Sequence, residues 1–175
     1  MKKTAASIIL VLFCLFLAGC NEKDDLKADL QEIAVPDMSI SVLDLNESAQ
    51  LAWLAEIYKF EVDTMRSKTS DLSEKDIQTV EAHLSQVFGS EEARLLIDGF
   101  YEYDQDKQKY YVPDGDWFSY SNQWPSSEIS LTDRSEQSAT FVLKGTDQTE
   151  NERNIQFDFS ISDEKLLLEK RVILN

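Results

Sequence analysis

Cysteine is nearly missing from this chain: it occurs twice in 175 residues, at Cys14 and Cys20. Both lie in the first 20 residues, so no disulfide, thiolate nucleophile or cysteine-ligated metal is available to the rest. Glycine is scarce as well, and the five residues Gly19, Gly89, Gly99, Gly115 and Gly145 are too scattered for a phosphate loop, a dinucleotide fingerprint or a nucleophile elbow. His83 is the single histidine and borders an apolar stripe, which excludes a histidine metal cluster. A Ser–His–Asp site would need partners brought together only by the fold. Basic residues are also few. All 33 acidic residues follow Gly19, and two of the 17 basic ones are Lys2 and Lys3. What remains is 15 basic against 33 acidic residues, a formal −18. No nucleic acid is expected as a partner, because phosphates need a basic footprint. An anionic leaflet would repel the same surface.

What is there begins with a leader. Lys2 and Lys3 precede ten consecutive apolar residues, Ile8 to Leu17, followed by small residues and then a polar run from Asn21. That apolar core is shorter than the roughly 20 residues a spanning helix needs. Leu17-Ala18-Gly19-Cys20 resembles the lipobox of bacterial lipoproteins at all four positions. The resemblance implies removal of residues 1–19 as a signal peptide, and lipidation of Cys20. The lipid bilayer is then a partner through an acyl anchor, with the domain on the cell membrane facing away from the cytoplasm. Two acyl chains suffice for stable attachment. An uncleaved signal anchor is the alternative reading of the uncharged stretch from Thr4 to Cys20.

Residues 20–45 read as a lipidated flexible stalk, rich in Asp, Glu, Lys and Ser and containing Pro36. Met38, Ile40 and Val42 alternate and could add an edge strand. From residue 46 to 175 the pattern is that of a single α+β domain. Asn46 is a helix cap, followed by Leu51, Leu54, Ala55, Tyr58, Val62 and Met65 at the spacing of one face. Trp53, Ile57 and Phe60 widen it. A second helix starts at the Ser73 cap with Asp76 three residues on, carries Ile77, Val80, Leu84 and Val87, and stops at Gly89. A third begins at a Ser90 cap and presents Ala93, Leu96 and Ile97.

After Phe100 the apolar period changes from 3.6 to 2. Strands are expected at 100–103, 109–112, 127–133, 138–144, 154–161 and 165–174, with a long hairpin loop over 145–153. Ile155, Phe157, Phe159 and Ile161 alternate with Gln156, Asp158 and Ser160, one face buried and one wet. About three N-terminal helices packed on one face of an antiparallel sheet of five to six strands follow from this order. A chain beginning near Val42 should then fold alone, since every strong amphipathic segment lies beyond it.

The densest recognition signal is Val112 to Pro125, where Trp117, Phe118, Tyr120 and Trp124 sit in a stretch with no regular period, beside Asp114 and Asp116. Such rings bring contact area at low entropic cost, and the carboxylates would steer a basic partner. The alternative is that the rings fold back over the core. Asp104 and Asp106 are turn formers; neither they nor any other pattern requires a metal or cofactor.

Three amphipathic helices leading into Gly99-Phe-Tyr-Glu-Tyr-Asp, then Lys109-Tyr-Tyr-Val-Pro-Asp-Gly-Asp and further strands, resemble the layout of secreted D,L-endopeptidase inhibitors of Gram-positive cell walls. The resemblance implies a non-enzymatic domain that binds an envelope protein and restrains a wall hydrolase. Lipid anchoring departs from that family. Short aromatic strands of this kind also occur in small nuclear-transport-factor-like lipoproteins, which leaves a small-molecule carrier or sensor with a cavity between helices and sheet as the alternative.

Overall fold

The helical period ends and the strand period begins at Phe100, and the structure, a computed structural model, divides there too. It describes residues 25–114, 126–146 and 151–174. The helices are α1 (Asp25–Glu32), a short 3-10 turn (Ile40–Asp44), α2 (Glu47–Arg66), α3 (Glu74–Leu84) and α4 (Ser90–Phe100). The strands are β1 (Glu102–Asp104), β2 (Lys109–Tyr111), β3 (Ser126–Arg134), β4 (Ser138–Thr146), β5 (Glu152–Ser162) and β6 (Lys165–Leu174). The fold is α+β. The expected single sheet is corrected: β1 and β2 form a separate hairpin, and β3-β4-β5-β6 form an antiparallel meander. The hairpin is tied instead to the segment between α2 and α3, through backbone bonds exchanged by Leu72 and Tyr110.

Cap chemistry sets where helices start. The Asn46 side chain accepts from the Ala49 N–H at 3.0 Å and opens α2. Ser73 and Asp76 form a reciprocal capping box at α3, and Lys68 adds an ion pair to Asp76 at 2.9 Å. Burial works against the Asp76 charge, but the hydrogen bonds from Ser73 and Lys68 prevail and hold its carboxyl below the usual range. Gly89 does not stop α3, which ends at Leu84; Gly89 instead occupies the cap of α4 with extended backbone. The Glu169 side chain lies close against it. A Cβ at Gly89 would displace the exposed Glu169 carboxylate, and the Gly89 N–H bonds to the Leu168 carbonyl.

The stretch 25–45, expected as a flexible stalk, is corrected as well. Leu26 and Leu30 lie one helical turn apart on α1 and are 5% and 2% exposed. Met38, Val42 and Leu43 are buried with them, the Trp53 indole donates to the Asp37 carbonyl at 2.7 Å, and the Leu166 N–H reaches the Met38 carbonyl. The alternation at Met38, Ile40 and Val42 gives a 3-10 turn beside one isolated bridge from Ser39 to Lys165, not a strand.

Every second residue of β4 and β5 points to the core, so Phe141, Leu143, Ile155, Phe157 and Phe159 form a continuous apolar face. Trp53 of α2 packs on it, its ring centroid 5.7 Å from Phe141 and 5.3 Å from Phe159. The buried side of α2 holds Leu54 and Met65 of the expected stripe with Trp53, Ile57 and Phe60 beside them, and adds Gln50 and Thr64, while Ala55, Tyr58 and Val62 stay outside it. The opposite sheet face is polar, with Thr140 and Gln156 both bonded to Asp158.

His83 packs its ring 5.0 Å from Phe60, with Nδ1 facing Gln86 and Nε2 buried without a partner. Burial lowers its pKa from the ordinary 6.5. The unfolded chain therefore takes up the proton first as pH falls through 6.5, and stability drops below that point. Melting temperature compared at pH about 7.5 and about 5.5 should fall more for the parent than for His83→Phe. Equal falls would show that His83 stays uncoupled from folding.

Candidate functional site

Where α2 and α4 diverge over the end of the sheet, the core is left open as a cleft of about 430 Å³. Its helical walls are Met65 of α2 with Leu95, Leu96 and Gly99 of α4, and its sheet side is Ile155 and Ile173. Two apolar residues at its rim are open to solvent: Leu95 is 60% and Ile173 52% exposed. Gly99 sits in α4 with free space ahead of it, since a Cβ there meets nothing within 4 Å.

The cleft holds one group of charges. Arg171 of β6 donates from Nε to Glu92 of α4 at 2.6 Å and from Nη1 to Glu61 of α2 at 2.7 Å, so one guanidinium ties two helices to the sheet. Its carbon also lies 5.8 Å from the centre of the Phe88 ring, a cation–π distance. Burial pushes the Glu61 carboxyl above its ordinary 4.5, outweighing the attraction of Arg171, and Glu92 adds to the upward push. Burial also works against the Arg171 charge, but the two carboxylates prevail and hold it protonated. With all three ionised the group carries one net negative charge. It can orient a cationic or apolar guest, and its three members are committed to one another.

Residues expected from the sequence to bind a partner fall elsewhere. Asp114 is exposed and is the last described residue before the aromatic stretch. Asp116, Trp117, Phe118, Tyr120 and Trp124 lie outside the described residues, as do Cys20 and the whole of 1–24. The Asp104 turn is occupied by its own backbone: Oδ1 accepts from the Asp106 and Lys107 N–H groups, and Lys107 pairs with Oδ2. Among the described residues, no group of three or more His, Cys, Asp or Glu side chains is placed to hold a metal ion. No described helix is long and apolar enough to cross a membrane.

The cleft was missed by sequence reasoning. Glu61, Glu92 and Arg171 are separated by 31 and 79 positions, which no local spacing connects. The one available signal was polarity out of place: Arg171 interrupts the alternation of β6, and Glu92 sits beside Ala93 on the buried side of α4. No protein-family model matches the chain, and no curated protein matches it.

Proposed function

We propose that this chain is a lipid-anchored lipoprotein outside the cytoplasm whose α+β domain binds an envelope protein and catalyses nothing. The open apolar cleft flanked by exposed Leu95 and Ile173 carries this reading. Exposed apolar residues around a cavity, set in a strongly acidic surface, suit an anchor side chain from a basic protein. A wall hydrolase held in check is the partner class that the sequence resemblance implies. The aromatic stretch with Trp117 and Trp124, beside Asp114 and Asp116, would extend the contact. A small-molecule carrier or sensor is the second reading, favoured by the cleft volume of about 430 Å³, which falls in the range of ligand pockets.

Capture from crosslinked envelopes with the intact lipoprotein tests the first reading. Gly99→Leu should fill the cleft, raise or keep the melting temperature because glycine is poor in a helix interior, and reduce capture about tenfold. Trp117→Ala and Trp124→Ala should reduce capture by a similar factor. Undiminished capture by all three would place the binding surface elsewhere.

The anchor has its own test. Cys20→Ala should abolish labelling by a fatty-acid probe and leave an unprocessed precursor. Equal labelling of variant and parent would refute the lipidation site.

A further inference from the structure

The outer edge of β6 is covered along half its length only. Asp163 and Glu164 have φ of 51° and 61° and make a two-residue turn that pairs Ser162 with Lys165. Antiparallel pairs alternate, so Leu166 and Leu168 direct their backbone groups away from β5. Three of those four groups are satisfied: Leu166 N–H by Met38, Leu168 N–H by Val87, and the Leu168 carbonyl by Gly89. A bulge then intervenes, with Leu168 opposite Phe159 but Lys170 opposite Asp158. The extra residue, Glu169, resets the alternation, and Arg171 and Ile173 become the residues whose N–H and C=O point outward. Among the described residues no backbone group pairs with theirs. Their side chains line the cleft.

We infer that this half of β6 is a strand-addition edge that takes an extended, basic segment of a partner protein, with alternate apolar side chains entering the cleft. The inference rests on the partner-binding reading and gives its partner a chemistry. Three observations meet at one place: an unpaired edge, a cavity beside it, and the 52% exposed Ile173 on a strand where folded proteins ordinarily avoid exposed apolar edges. Main-chain bonds would supply affinity and the cleft would select side chains. Charge decides between occupants. Side chains alternate across a strand, so the apolar ones enter the cleft and the others lie on the opposite face, in the field of a chain with a formal −16. A second copy would bring two such charges together, whereas a lysine-bearing strand is attracted.

The probe is a fluorescent heptapeptide, acetyl-Lys-Val-Lys-Val-Lys-Val-Lys-amide, titrated into the full-length lipoprotein in nonionic detergent. Controls are the same peptide N-methylated at alternate amides and a counterpart with Glu in place of Lys. The lysine peptide should bind and weaken as salt rises. N-methylation, which spares the side chains and removes the backbone donors, should cost about tenfold or more, and the Glu peptide should not bind. Ile173→Pro removes the outward N–H and no ladder bond to β5, so it should lose binding about tenfold while melting like the parent. Equal binding of the N-methylated peptide, equal binding of the Glu peptide, or no binding of any peptide overturns the inference. So does dimerisation of the protein itself that Ile173→Pro abolishes, which would name a second copy as the occupant. In envelope capture, loss with Gly99→Leu but not with Ile173→Pro would sink strand addition and leave the cleft reading standing. Retention with both would sink the two together.

Discussion

A chain that begins at Val42 is expected to unfold at a temperature far below one that begins at Asn21, or not to fold at all. Such a chain lacks Leu26, Leu30 and Met38, all buried in the core, and the backbone acceptors that Trp53 and Leu166 use at Asp37 and Met38. Burying three such side chains is worth about 5 kcal/mol or more. Single domains have only about 5–15 kcal/mol in total. Thermal melts followed by circular dichroism on the two chains decide the matter, and coincident melts would show that α1 is dispensable. Leu30→Ala in the longer chain provides a gentler version, expected to cost about 2–5 kcal/mol.

The second large effect is expected at Arg171. Arg171→Met removes the only cation that faces Glu61 and Glu92 among the described residues of the cleft, and leaves two carboxylates among apolar walls. Breaking a buried pair from one side costs about 3–5 kcal/mol. Replacing all three residues with Met at 171 and Gln at 61 and 92 should recover most of that loss, because no unpaired charge remains. The pH response has a defined sign. Glu61 has a folded pKa raised above 4.5, so its protonated form favours the fold. That contribution is complete below 4.5 and is lost as pH rises through the folded value. In Arg171→Met the same carboxyl is raised further, so the variant should regain stability relative to the parent as the solution is acidified from neutral pH. Urea melts across that range measure it. A variant as stable as the parent at neutral pH, or one whose deficit does not shrink on acidification, would show that the three charges are solvated and independent.

Much of the fold was readable where local chemistry is strong. Asn46, Ser73 and Asp76 announce their helices by cap chemistry that involves only neighbouring residues, and the period of two from Ile155 to Ile161 specifies a half-buried strand without reference to the rest of the chain. Elements that depend on distant partners were less legible. Leu26 and Leu30 are two apolar positions in a polar octet, too few to distinguish a docked helix from a spacer. On α2 the apolar members Trp53, Leu54, Ile57, Phe60 and Met65 were readable, whereas Gln50 and Thr64 share the buried side without an apolar signal. Gly89 reads as a helix stop by composition, but it caps the next helix and its N–H bonds to Leu168, 79 positions away in sequence. The charged group in the cleft belongs to the same class. Its members come from three separate elements, and only the fold brings them together.

The packing of α1 also limits how far the domain can travel. If Cys20 is held in the bilayer, the chain between it and the helix at Asp25 is five steps long. Fully extended, that leash spans about 18 Å at most. On the proposed anchoring the domain would be confined to a thin shell above the headgroups rather than held out on a long arm. Within that shell a surface this acidic is repelled by anionic lipid over roughly one screening length, about 8 Å at physiological salt. Leash and repulsion act in opposite directions, one setting the ceiling and the other the floor. On the proposed anchoring a partner would have to be membrane-bound itself, or pass close to the membrane surface, to be met.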